Sequence, residues 1–124
     1  MTALIDVAEY VRQDGSSPYK RWFDGLEKQA AAKVTVAKLR MSLGNTSRIK
    51  WFDGIGECKI DWGPGYRVYL AQDGVALIVL FGGGTKPTQQ KDIEQALALH
   101  AEYKSRKRQL AISMKALGKG AGKR

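Results

Sequence analysis

The chain has 124 residues, 44% hydrophobic and 27% charged, which suits one folded domain with a single modest core. One cysteine, Cys58, and one histidine, His100, argue against a disulfide, a zinc site, a histidine-based triad and a Cys–His pair. The net charge of +9 is uneven: residues 103–124 hold eight Lys or Arg and no acid, whereas residues 1–102 hold 13 Lys or Arg and 12 Asp or Glu. The body is therefore close to neutral, and any polyanion-binding surface on it must come from local clustering.

Residues 4–12, "LIDVAEYVR", alternate loosely and predict a first strand, broken by "DGSSP". Ser17 before Pro18 is a good helix start, with a capping hydroxyl and a proline whose missing N–H costs nothing there. A short helix "PYKRWFDGL" follows, bending at Asp24-Gly25. A second helix is predicted from about Glu27 to Leu43, with Ala30, Val34, Ala37 and Met41 on one side and Gly44-Asn45 ending it.

Three strands come next, at about 55–62, 66–72 and 75–81. The turns "GPG" and "QDG" make them an antiparallel meander. The third, "VALIVLF", is apolar throughout, so both of its faces should be covered. The triple glycine 82–84 is expected to stop it. A last helix is predicted from about Thr88 to Arg108, with Ile93, Ala96, Leu97, His100 and Tyr103 on one side. Residues 109–124 form a basic tail outside the 1–108 domain, amphipathic through Leu110, Met114 and Leu117, with the terminal "GKGAGKR" expected to be disordered.

The predicted fold class is α+β: a mostly antiparallel four-stranded sheet with helices on one face, in the order strand-helix-helix-strand-strand-strand-helix. The longest apolar run is too short to span a bilayer, and "MTALIDVAEY" has acids where a signal peptide needs an apolar run. A soluble cytoplasmic protein with no membrane partner is expected.

In the hairpin around Gly63-Pro64-Gly65, alternation puts Cys58, Ile60, Trp62, Tyr66, Val68 and Leu70 on one face. Lys59, Asp61, Arg67 and Tyr69 fall on the other. A solvated face with a weak ion pair would explain that set. Lys86, directly after "FGGGT", reaches toward the same face, and Arg48 and Lys50 flank the strand leading in. The glycine run reads equally as a flexible connector or as a close approach to phosphate. It lacks the residue order of a P-loop. Trp22 and Trp62 read as core and Trp51 is open. Guanidinium, ammonium, carboxylate and phenol without histidine suit attack of an RNA 2′-OH on the adjacent phosphate.

The run "CKIDWGPGYRVYL…LIVLFGGGTKPTQQKDI", with the upstream "SPYKRWFDGL", resembles RelE/ParE-superfamily toxins, closest to the HigB-like branch of addiction-module killer proteins. The resemblance covers roughly residues 4–105. It implies a metal-independent, cofactor-free endoribonuclease that cuts mRNA on the ribosome and is neutralised by a cognate antitoxin, typically a helix-turn-helix DNA-binding protein. The family's usual active-site positions fall here on Glu57, Lys59, Arg67, Lys86 and Asp92. Glu57 and Asp92 depart from the usual residue types. The resemblance thus implies Arg67, Lys86, Lys59 and Asp92 as catalytic, with Tyr69, Asp61, Lys50, Arg48 and Gln89 contacting RNA. The same superfamily contains gyrase poisons, and a non-catalytic nucleic-acid-binding role is a further alternative.

Overall fold

A computed structural model describes residues 3–122. Strand β1 (Asp6–Glu9) leads to helices α1 (Pro18–Asp24) and α2 (Lys28–Ser42). Strands β2 (Ile49–Phe52), β3 (Ile55–Ile60), β4 (Tyr66–Asp73) and β5 (Leu77–Gly84) follow, and a 3-10 turn (Lys86–Thr88) opens into helix α3 (Gln89–Gly122). The sheet order is β1-β5-β4-β3-β2, with β1 parallel to β5 and every other pairing antiparallel. The class is α+β, with five strands in place of the four expected.

The additional strand is β2. Phe52 pairs with Ile55 across a two-residue loop, Asp53-Gly54, in which both residues have positive φ, 52° and 85°. That is the geometry of a type I′ hairpin turn, whose twist matches that of the flanking strands and which favours Asp-Gly. Trp51 lies across the strand pair from Gly56, and a Cβ at Gly56 would meet its ring at 2.8–2.9 Å. The indole therefore rests on a glycine while staying half exposed to solvent.

Ser17 caps α1 as expected, its hydroxyl accepting from the Lys20 N–H at 3.1 Å, with Pro18 in the first turn. On α2, Ala30, Val34 and Met41 are buried and Ala37 packs beside them. This face joins Tyr19, Ile49, Cys58, Ile60, Val68, Leu70, Ile78 and Leu80 in one core between α1, α2 and the sheet. The apolar side of the hairpin is placed as the alternation predicts.

Helices cover both faces of the sheet, not one. Tyr69, Ala71, Val79 and Phe81 form a second core with Ala96 and Leu99 of α3. The hairpin is polar only toward its turn. Farther along β4 the same face becomes apolar, and an apolar face must be covered. The triple glycine does not stop β5 but completes it: Gly82, Gly83 and Gly84 pair with Tyr69, Val68 and Arg67. The register slips between Tyr69 and Leu70, leaving Phe81 as the extra residue of a bulge.

Side-chain bonds fasten α3 to β4 and to the segment that follows β1. Tyr10 and Arg12 both donate to Glu102, with Arg12 Nη2 to Oε1 at 2.8 Å. Tyr103 and Lys107 both donate to Asp73, with Lys107 Nζ at 2.7 Å. These bonds hold both carboxyls below the usual carboxylate range.

Beyond Lys107 the helix runs on without a break to Gly122. The tail is therefore a continuation of α3 rather than a separate segment. Of the terminal run expected to be disordered, residues 118–122 are helical and 123–124 lie outside the described residues. Leu110, Ile112, Met114 and Leu117 on this extension are all more than 60% exposed. A chain ending at Lys107 should thus keep its core and lose about 0.5 kcal/mol or less. A thermal melt that loses cooperativity on truncation would show the extension to be structural.

Candidate active site

The open end of the second sheet face carries a cleft of about 380 Å³, lined by Lys59, Asp61, Arg67, Lys86 and the Trp62–Gly65 turn. Register explains the assembly. Lys59 and Arg67 are cross-strand partners, and Arg67 is paired on its other side with Gly84. Side chains at these positions share one face, and glycine on β5 adds no side chain to it. Two residues beyond Gly84 the chain turns, which brings Lys86 to the same rim. Lys59 Nζ lies 3.5 Å from Asp61 Oδ1, and both groups are mostly exposed.

Arg67 departs from the expectation of a solvated face. It is only 9% exposed, and Glu57 is 8% exposed. Arg67 Nε lies 3.6 Å from Glu57 Oε1, too long for a hydrogen bond, so the contact is a buried ion pair. Gln89 Nε2 donates to the other oxygen of Glu57 at 3.1 Å. Glu57 is thus the residue whose role sequence reasoning missed. The signal was available in the hairpin register: Glu57 faces Tyr69 and Lys59 faces Arg67, which makes Glu57 and Arg67 diagonal neighbours on one face.

Tyr69 is 1% exposed and belongs to the second core, so it offers no ring or hydroxyl to a ligand in the cleft. Its hydroxyl makes no hydrogen bond within the described residues. Burial raises its pKa strongly, and the Glu57 carboxylate raises it further. Tyr69 is therefore not placed to contact RNA.

Asp92 does not line the cleft. It sits in the first turn of α3, where a carboxylate is favoured by the helix dipole. Thr88 Oγ1 donates to its Oδ2 at 2.6 Å. The carboxylate lies against Gly84 so closely that a Cβ there would overlap it. This geometry assigns Asp92 to fixing the corner between β5 and α3. Gln89 acts similarly, through Glu57.

The two upstream cations also separate from the cleft. Lys50 is opposite Glu57 on β2 and exposed, and Arg48 lines a different groove, under α2. His100 packs beside Phe81, with ring centres 5.7 Å apart, and burial lowers its pKa. Among the described residues no three His, Cys, Asp or Glu side chains cluster to hold a metal.

An uncharacterized protein of Haemophilus influenzae (strain Rd) is 43% identical to this chain over 86 residues, covering 68% of this chain and 87% of that protein. The chain belongs to the same family as that protein. No family model matches the sequence.

Proposed function

We propose that this chain is a toxin of the RelE/ParE superfamily, HigB-like branch, that cuts mRNA on the ribosome. The observation that carries this reading is the convergence of Lys59, Arg67 and Lys86 on one cleft with a single carboxylate, Asp61. Such a set can stabilise charge on a phosphate and move a proton.

In the proposed reaction the 2′-OH of one nucleotide attacks the adjacent phosphorus, and the bond to the 5′-oxygen of the next nucleotide breaks. The products are a 2′,3′-cyclic phosphate and a 5′-hydroxyl. Negative charge grows on the non-bridging oxygens, where Arg67 and Lys86 stabilise it more in the transition state than in the ground state. Arg67 does so from a fixed position, because Glu57 and Gln89 hold the set behind it. Lys59 and Asp61, paired and exposed at the mouth, are the groups placed to exchange protons. The cleft is open, and the ribosome would supply the alignment that the protein alone lacks. A cognate antitoxin is the partner that keeps the toxin inactive in the cell.

Ribosomes programmed with a defined mRNA provide the test. The purified protein should cut the mRNA within the translated region, in phase with codons, and leave naked mRNA largely intact. Equal cutting of naked mRNA would remove the ribosome from the mechanism. Intact mRNA together with inhibited DNA supercoiling would replace the nuclease reading with gyrase poisoning.

A further inference from the structure

A second cavity, of about 190 Å³, lies on the opposite sheet face between α2 and the β2–β3 edge. Its rim carries Lys33 and Arg40, seven residues apart and so on one side of α2, together with Arg48 and Lys59. Its floor is apolar, lined by the buried side chains of Met41, Ile49 and Cys58. Lys33, Arg40 and Arg48 form no ion pair among the described residues. Asp61 is the only acid at the rim, and it already faces Lys59.

Three unpaired cations around an apolar floor are not what folding alone selects, because like charges at close range repel. Arg48 and Arg40 both lie close enough to Cys58 to pull down a thiol pKa that burial pushes up. The groove also joins the candidate active site: Lys59, Asp61 and Trp62 line both cavities. A strand leaving the cleft past Trp62 therefore enters the groove without crossing acidic surface other than Asp61.

We infer that this groove is a second RNA subsite, taking a nucleotide flanking the cleavage position. Its phosphate lies between Arg40 and Arg48, and its base lies on the apolar floor beside Trp62. The inference rests on the proposed ribonuclease reading and extends it to the path of the substrate. It also changes the significance of a near-neutral body: the charge is balanced in sum but segregated, with an arginine pair and two lysines along one edge.

The test uses a short all-2′-O-methyl oligoribonucleotide, which cannot react by 2′-OH attack, and the full chain. Arg40→Gln/Arg48→Gln changes only exposed residues and should melt like the wild type. Its affinity should fall about tenfold or more at low salt, and the slope of log K against log salt should flatten by about 0.7, for one lost phosphate contact on a single strand. Arg21→Gln/Lys28→Gln, which removes two exposed cations elsewhere, should bind as the wild type does. Unchanged affinity in the Arg40/Arg48 variant overturns the subsite. If that variant still cuts ribosome-bound mRNA normally, the proposed function stands without it. A wild type that binds poly-glutamate but not the oligonucleotide also overturns the subsite, in favour of an acidic peptide ligand.

Discussion

Replacing Arg67 by alanine is expected to lower mRNA cutting roughly a hundredfold or more, as the loss of a fixed oxyanion donor does in other enzymes. It should also destabilise the fold. Arg67 and Glu57 are both about 10% exposed, so truncating the guanidinium leaves the Glu57 carboxylate buried without its counter-ion. Breaking one partner of a buried pair costs about 3–5 kcal/mol, far more than an exposed arginine would. The 3.6 Å separation and the lack of a hydrogen bond at Nε place the expected loss at the lower end. Glu57→Gln/Arg67→Ala separates the two effects. It removes the orphaned charge, so stability should recover substantially while cutting stays low. If cutting returns with stability, Arg67 serves the fold and the cleft is not where phosphate is held.

Much of this architecture was legible in the chain. Ser17-Pro18 opens α1 and Gly44 closes α2. The alternation on either side of Gly63-Pro64-Gly65 sorts the hairpin into its two faces. Asp53-Gly54 carried an equally local signal for β2, since its dipeptide is the one a type I′ turn favours. What local pattern cannot supply is the position of α3. Whether the polar-looking face of β4 is open or covered depends on a helix some twenty residues downstream, and that placement buries Tyr69. The site divides along the same line. Lys59, Asp61, Arg67 and Lys86 meet because strand register brings them together, whereas Asp92 and Gln89, assigned by resemblance, turn inward to hold the corner and the Arg67 counter-ion.

The glycine run gives the second large effect. A Cβ built on Gly83 lies 2.5–2.6 Å from three atoms of the Trp22 ring. That ring packs against the first core, tilted on Tyr19 at 6.0 Å, and α1 has little freedom to withdraw because its other aromatics are packed there too. Gly83→Ala should therefore cost about 1–3 kcal/mol through overpacking, read as a lower midpoint in urea with an unchanged slope. Gly82→Ala is the control: a Cβ there meets nothing within 4 Å, and its φ lies outside the left-handed region. It should change stability by about 0.5 kcal/mol or less. A flexible connector would tolerate alanine equally at both positions, so equal midpoints for the two variants would return the run to that reading. Trp22→Leu combined with Gly83→Ala supplies the converse. The smaller side chain makes room for the new methyl, so the double variant should lose less than the two single losses added together. Strict additivity would mean that the indole and the glycine backbone are not in the contact that defines this end of β5.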